Sequence, residues 1–555
     1  MDVKQTIRES LTSALGEMGI LPADEMEIDL SAPKQKDHGD LSTNIALIIA
    51  SKARRNPRQL AQELLRHLDI SSNLVQQIDI AGPGFINFTL NRNVLYEGLV
   101  QIIKQKEFYG KAVPESRKKI QVEFVSANPT GPLTIGHGRQ AVLGDTIARL
   151  LEYSGHQVTR EYYFNDAGRQ MRVLGDSVRL RYLELLGEKV TFPDDYYQGE
   201  YIKDIARQVL KENQDRIRTS ESEAESTFRD TAEMMIFNNI RSTLERMHIH
   251  FDVYFNEKSL YDSGKIDEVI QTLREKRLAY DKEGAVWLKA TDLGLEQDRV
   301  IVKSSGEPTY RLPDIAYHKD KLDRGFDLII DLFGADHIAT YPDVLAGLEA
   351  LSYDKSRVKV LIHQFVTLME GREKIKMSTR MANFVTLDEL IDEVGIDVTR
   401  YFFLNRSMSA HLNFDLTLAK TQSDENPVFY VQYAHARICS ILRYATEQGI
   451  DPEELGDPSL LTNEEELDLI RILMDYPRLI QSAAEQFEPQ RIPTYLETVA
   501  TIYHRFQHAG KVDNTLRVIS ENRAVSQARL MLCRATKIVL ANGLDLLGIS
   551  KPEKM

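Results

Sequence analysis

The sequence predicts an α/β protein built on a parallel sheet, preceded by an α+β region and followed by an all-α region. Three observations carry this reading. Residues 120–164 run strand, loop, helix, strand; strand patterns return between 250 and 370 after a helical stretch; and from Asn426 the apolar spacing is helical to the end.

Taken in order, residues 1–110 combine helical segments with a strand pattern over Ile78–Leu90, and a polar loop, Pro33 to Asp40, precedes an apolar helix over Ile45–Ala50. Ile120, Val122 and Phe124 alternate with Gln121 and Glu123, the period of two that marks a strand. Asn128 to Pro132 breaks regular structure with two prolines and a glycine. From about Gly138, Ala141, Val142, Ile147, Leu150 and Leu151 recur at helical spacing until Gly155 stops them. Val158, Glu161, Tyr162 and Phe164 read as the next strand, so the whole is a βαβ crossover of a parallel sheet. The charged stretch from about 184 to 240 reads as a helical insertion whose Pro193–Tyr197 is a surface loop. Strands resume at Phe251–Phe255, Leu328–Phe333 and Val358–Ile362, and Asp397–Leu404 opens a connector to the final helices.

With 555 residues and 42% hydrophobic content the chain has material for more than one core, and three or four domains are expected. No apolar run approaches the roughly 20 residues of a membrane span. Met1–Gln5 has no signal-peptide pattern, and Cys439 and Cys533 are the only cysteines. A disulfide framework or a cysteine zinc site is therefore not expected, and a reducing cytosol is. The net charge of −14 opposes a nucleic-acid partner, but its distribution does not. Arg505, Lys511, Arg517, Arg523, Arg529, Arg534 and Lys537 face only Asp513 and Glu521 in their stretch, while 447–475 is acidic. That polarity suits a basic face for phosphates; an ordinary bundle with scattered ion pairs would also produce it.

The βαβ unit offers a phosphate site at its helix N-terminus, where free N–H groups and the positive end of the dipole point past the strand ends. Gly136 and Gly138 would let a phosphate or a purine approach the backbone, and His137 between them can donate to a phosphate oxygen. Some 240 residues later Arg372, Lys374, Lys376 and Arg380 crowd into nine positions, between Gly371 and a helix start at Thr386-Leu387-Asp388-Glu389 with a capping-box pattern. Taken singly, the Gly-His-Gly triplet reads as an ordinary turn and the basic run as a solvated face. Together they suit a triphosphate.

The pair resembles the two signature motifs of class I aminoacyl-tRNA synthetases, His-Ile-Gly-His and Lys-Met-Ser-Lys-Ser. The longer stretches Ser126–Leu133, Tyr310–His318, Gly334–His337, Asn542–Ile549 and Ala81–Phe88 resemble the arginyl-tRNA synthetases in particular. Two positions depart from the pattern: Thr134 replaces the first histidine and Thr379 the second lysine, and Gly131 stands where some members place a compensating lysine.

The resemblance implies a Rossmann-like catalytic domain at 111–395 with its insertion at about 184–240, and a connector at 396–425. It also implies an appended domain at 1–110 that touches the tRNA D-loop, and a helical anticodon-binding domain at 426–555. It implies ATP as substrate with Mg²⁺, L-arginine and tRNA(Arg) as partners, no membrane, a monomer and a cytoplasmic location. By the same resemblance His137, Lys376 and Arg380 are catalytic, and Pro132, Thr134, Gly136, His137, Lys376, Met377 and Ser378 hold ATP. Glu257, Tyr310 and Asp314 hold the arginine side chain, with Glu123 and Asn128 near its backbone end. Arg517, Arg523 and Arg55 are expected on tRNA; no metal ligand is expected from the protein. An arginine guanidinium is always charged and carries five donors, so a water-excluding site must present carboxylates to it. Glu257 closes the strand Asp252–Phe255, and Asp314 follows the strand-like Pro308–Leu312. Two other readings remain: a tRNA-binding relative without catalysis, and a class I synthetase or ATP-dependent ligase for another substrate.

Overall fold

A computed structural model describes residues 3–555 except 21–27, 32, 34, 36, 37, 115, 167, 214–220, 372 and 376–384. The chain divides into two compact units, residues 1–109 with 438–475 and 501–539, and residues 110–437 with 476–500 and 540–555.

The first unit opens with α1 (Val3–Glu17), β1 (Leu41–Thr43), α2 (Ile45–Ala53), α3 (Pro57–His67), β2 (Val75–Ala81), β3 (Phe85–Leu90) and α4 (Arg92–Gln105). β3 lies between β1 and β2 and pairs antiparallel with both. The strand pattern expected over Ile78–Leu90 is thus resolved as a hairpin, turned at Gly82 and Gly84 with φ of 50° and 143°, the latter a conformation that favours glycine. α3 starts where the sequence chemistry favours it, with Asn56 capping and Pro57 at the first position. Ile7, Leu11, Ile45, Leu60, Ile86 and Phe88 share one core. The same unit takes in C-terminal residues: Tyr96 donates to the Leu461 carbonyl at 3.0 Å, and Lys4 pairs with Asp475 at 2.6 Å.

The second unit contains β4 (Lys119–Glu123), α5 (Ile135–Tyr153) and β5 (Gln157–Phe164), then α6 (Gly168–Leu185), α7 (Glu200–Asn213) and α8 (Glu221–Arg246). β6 (Val253–Asn256), α9 (Lys258–Asp262) and α10 (Lys265–Glu275) follow, with a small antiparallel sheet of β7 (Ala279–Lys282), β8 (Ala285–Leu288) and β9 (Arg299–Val302). α11 (Arg311–Asp323), β10 (Leu328–Gly334), α12 (Tyr341–Ala350) and β11 (Val358–His363) complete the main sheet. Its order is β11-β10-β4-β5-β6 with every pairing parallel. The strand order reverses between β4 and β10, and such a switch point opens a crevice at the C-terminal strand ends.

Beyond the main sheet come β12 (Val366–Glu370), β13 (Glu373–Lys374), α13 (Leu387–Val394), α14 (Ile396–Leu404), β14 (Leu412–Asp415) and α15 (Leu416–Lys420). The remaining helices are α16 (Pro427–Glu447), α17 (Glu464–Met474), α18 (Tyr476–Glu485), α19 (Arg491–Val512) and α20 (Arg523–Leu547). Cys439 and Cys533 are buried and form no disulfide, and burial pushes the Cys533 thiol up to about 12. Among the described residues no helix is long and apolar enough to cross a membrane.

Candidate active site

α5 begins at Ile135, three residues before the apolar spacing suggests. Thr134 caps it: its hydroxyl accepts from the His137 N–H at 3.5 Å, and its own N–H donates to His137 Nδ1 at 3.2 Å. The reciprocal bond settles the imidazole, since an Nδ1 that accepts leaves the proton on Nε2. Burial lowers the His137 pKa, against an opposing pull from Asp336, so the ring is neutral at pH 7 with one N–H to give. A Cβ on Gly136 would meet only Thr134 Oγ1, at an ordinary contact distance of 3.6 Å. A Cβ on Gly138 would lie 2.6 Å from Leu387 and 3.0 Å from Phe403, so this glycine lets α5 pack on α13 and α14.

The segment leading into α5 and the start of α13 are joined through the backbone. Thr134 and Thr386 form an antiparallel bridge, and the Leu387 N–H donates to the Leu133 carbonyl at 2.8 Å. The expected capping box at Thr386 is present, with Glu389 answering it. Upstream, the Ile375 N–H donates to the Leu368 carbonyl at 3.0 Å. Arg372, Lys376, Met377, Ser378, Thr379 and Arg380 lie outside the described residues.

Immediately after β4, Val125 and Ser126 take φ of 69° and 41°. Left-handed backbone at a β-branched residue costs on the order of 1–3 kcal/mol and persists only where surroundings enforce it. Here Ser126 donates to Glu123 at 2.8 Å and accepts from the Tyr163 N–H at 3.2 Å, while Tyr162 donates to the Ala127 carbonyl at 2.7 Å. The bent loop places half-buried Asn128, whose side-chain carbonyl accepts from the Asn165 N–H at 3.3 Å and whose amide donates to Gln170 at 3.0 Å. Tyr201 of α7 holds the next turn by donating to the Thr130 carbonyl at 2.9 Å, and Pro132 leads into the cap.

Beneath the loop lies a row of three buried carboxylates. Asp331, Glu123 and Glu161 are register partners across β10, β4 and β5. Like charges on adjacent strands repel, so the helix above must answer them. α11 and its C-cap do so with four residues, Tyr317, His318, Lys321 and Arg324, at i, i+1, i+4 and i+7 on one face of the helix. Lys321 sits between Glu123 and Asp331, 2.6 Å from the latter, and His318 Nε2 meets Asp331 at 2.9 Å. Arg324 grips Glu161 with two bonds of 2.7 Å, and Tyr317 donates to the same carboxylate at 2.7 Å. Burial alone would lower the Lys321 and His318 pKa values; the carboxylates outweigh it and raise both. Burial raises the Glu123 pKa against the pull of Lys321. Glu123 is therefore engaged by Lys321 and Ser126.

The same helix carries Asp314 in its first turn. Pro308–Leu312 is not a strand: α11 starts at Arg311, and Pro313 fits because a first-turn N–H has no helical acceptor to lose. Tyr310 precedes the helix, exposed, with the Arg311 guanidinium 4.7 Å from its ring centroid. Glu257 stands between β6 and α9, and Tyr163 donates to it at 2.5 Å, with Tyr261 on the same carboxylate. Asp314 is pushed up to about 7, first by burial and further by the negative charges of Glu257 and Glu123. Glu257 is raised as well, by burial and by Asp166. Neither Asp314 nor Glu257 has an ion pair with a lysine or arginine among the described residues.

For the expected tRNA contacts the structure separates two groups. Arg517 and Arg523 are exposed, donating to the Gly510 carbonyl at 3.3 Å and the Gly449 carbonyl at 2.6 Å; Arg55 is exposed and paired with Glu63. Arg529 and Arg534 correct the expected basic face. Both are buried, on Glu466 and Glu453 at 2.6 Å, so the local excess of positive charge is partly interior. Sequence reasoning missed the carboxylate row, the two tyrosines on Glu257 and the buried Arg139; only the helical spacing of 314, 317, 318, 321 and 324 signalled one of them.

Three family models cover the chain. Residues 3–90 match the arginyl tRNA synthetase N terminal domain, 98–408 the tRNA synthetases class I (R) catalytic domain, and 431–555 the DALR anticodon binding domain. The arginine–tRNA ligase of Desulfotalea psychrophila is 52% identical over 94% of both chains, and that of Salinibacter ruber 48% identical over the whole of both. A crystal structure of a putative arginyl-tRNA synthetase from Campylobacter jejuni superposes with a TM-score of 0.77 at 34% identity, covering 84% of this chain and all of that one. The chain belongs to the arginyl-tRNA synthetase family.

Proposed function

We propose that this member of the arginyl-tRNA synthetases activates L-arginine with ATP and transfers it to the 3′ end of tRNA(Arg). The observation that carries the reading is the pair Asp314 and Glu257: two half-buried carboxylates, both raised in pKa and neither ion-paired among the described residues, at the C-terminal side of a parallel sheet. Such a pair is incomplete without a cation, and a guanidinium with its planar donors satisfies two carboxylates at once.

In the first step a carboxylate oxygen of arginine attacks the α-phosphorus of ATP, the bond to the bridging oxygen breaks, and pyrophosphate leaves. In the second, a ribose hydroxyl of the terminal tRNA nucleotide attacks the arginyl carbonyl and AMP leaves. Positioning and charge supply most of the rate in such chemistry. Asp314, Glu257 and Tyr310 take the guanidinium end. Asn128 takes the backbone end, with Glu123 contributing its charge through the pair it forms with Lys321. His137 gives its Nε2–H to a phosphate oxygen, beside Gly136, Pro132 and the cap at Thr134. Lys376, with Met377, Ser378 and Arg380, neutralises the departing pyrophosphate, and Mg²⁺ enters as part of the nucleotide substrate. Arg55, Arg517 and Arg523 are assigned to tRNA, residues 1–110 to its D-loop and 426–555 to its anticodon arm. The enzyme acts as a cytoplasmic monomer.

Aminoacylation of total tRNA with each amino acid in turn tests the reading. Arginine-specific charging is expected, and pyrophosphate exchange that requires tRNA. Equal charging with lysine or citrulline, or none with arginine, would overturn it.

A further inference from the structure

Arg139 lies in the second turn of α5 and is fully buried, yet among the described residues it has no carboxylate partner. Its Nη1 donates to the carbonyls of Gln364 at 2.7 Å and Ala410 at 3.1 Å, and its Nη2 to that of Ser407 at 2.9 Å; Nε has no acceptor. Placing a charge in the interior without a counter-ion is costly, and a neutral side chain could fill the volume. Only a guanidinium carries enough fixed donors to reach three carbonyls from two segments.

Those segments have something in common. Gln364 links β11 to β12, and Ser407 and Ala410 link α14 to β14. β12 and β14 pair in parallel, Val366 to Met369 against Leu412 to Asp415, and the loops leading into the two strands are already tied by the Gln364 N–H donating to the Met408 carbonyl at 2.9 Å. β12 continues through β13 to Lys374, next to the second motif, whereas α5 carries His137. His363 adjoins the same centre: its Nδ1 donates to the Gln364 carbonyl at 3.2 Å, and its pKa is lowered to about 4 by burial with Arg139 contributing.

We propose that Arg139 is a positioning residue for adenylate formation: its fork fixes the β12–β14 pair, which leads through β13 to Lys374, against the turn of α5 that carries His137. The inference rests on the function proposed above. It implies a selective defect, because Asp314 and Glu257 are held by α11, α9 and β5, and none of the hydrogen bonds of Arg139 goes to those elements.

Pyrophosphate exchange with tRNA present, measured on the parent, Arg139→Lys and Arg139→Met, tests it. The methionine variant should lose about 100-fold in kcat, the scale of a misplacement of about 1 Å, while its KM for arginine stays within about twofold of the parent. Lysine keeps the charge but not the fork, and should fall between the two, so it carries the test if the methionine variant does not fold. A kcat within about threefold of the parent for both variants would overturn the proposal. So would a matched loss of arginine binding and thermal stability, which marks support of the fold alone. An inactive parent would instead sink the functional reading.

Discussion

Arginine binding should release a proton near neutral pH, and the reason is the state of Asp314 before substrate arrives. Its carboxyl is pushed up to about 7 by burial and by its two acidic neighbours, Glu257 and Glu123, with His318 and Lys321 pulling the other way. A guanidinium placed against it adds the missing positive charge and draws the pKa far down. Below pH 7 the free site is therefore protonated and must give up its proton to bind; above pH 7 it is ready. The apparent dissociation constant scales as 1 + 10^(pKa − pH), which is about 11 at pH 6 and about 1.1 at pH 8, so affinity should fall about tenfold from the higher pH to the lower. Calorimetric titration of arginine in buffers of different ionisation enthalpy reads both quantities: release of roughly 0.9 proton at pH 6, about half a proton at pH 7 and close to none at about pH 8.5. Asp314→Asn should abolish the slope and weaken binding at pH 8. A flat affinity with no buffer dependence would refute the assignment, and a slope surviving in the asparagine variant would move the titrating group to Glu257.

Three further outcomes are expected. Lys321→Met would leave Glu123 and Asp331 facing each other without their cation, so urea unfolding should show a loss of about 3–5 kcal/mol, the usual cost of removing one partner of a buried pair; a loss under about 1 kcal/mol would mean the row neutralises itself by protonation. Replacing exposed Arg517 and Arg523 with Ala should weaken tRNA binding and flatten its salt dependence by roughly 0.7–0.9 per lost contact, whereas Arg529→Ala, whose partner Glu466 is buried, should lower Tm without changing the slope; an unchanged slope in the double variant would exclude phosphate contact. Since Thr379 and Gly131 supply no cation, Arg380 is expected to take part of that role, and Arg380→Ala should slow single-turnover adenylate formation by about 100-fold; a rate within about threefold, less than about 1 kcal/mol, would leave the charge to Lys376 and Mg²⁺.

What can be read from the sequence, and what cannot, divides by the range of the interaction that decides it. The βαβ unit is legible because period-two alternation at 120–124 and helical spacing from 141 are local, and so is the capping box at Thr386 and Glu389. Apolar spacing puts the start of α5 three residues late because its capping partner is His137, an uncommon choice at the third position where Glu or Gln is the usual signal. The strand-like reading of Pro308–Leu312 fails for a different reason: Pro313, in a first turn, forfeits no hydrogen bond, so a helix starts at Arg311, the one that holds Asp314. Charge counts fail wherever the side of the helix matters, since seven cations between 505 and 537 look alike until Arg529 and Arg534 turn inward.

The carboxylate row shows the limit most clearly. Glu123, Glu161 and Asp331 each sit in a strand of ordinary composition, and only parallel registers between strands up to about 200 residues apart bring them side by side. Three buried negative charges then make the position of α11 nearly obligatory, because sliding it by one turn, about 5.4 Å, would take Lys321 and Arg324 off their partners. A helix packed by leucines could tolerate such a shift at modest cost; one packed by ion pairs cannot, which is the kind of specificity buried charge offers in place of stability. The helix N-terminus brings Asp314 within electrostatic reach of Glu257. On the function proposed above, selecting arginine would depend on Asp314 and Glu257, and on the interior charges of Glu123, Glu161, Asp331, Lys321 and Arg324, which local sequence does not reveal and which hold Asp314 at its height.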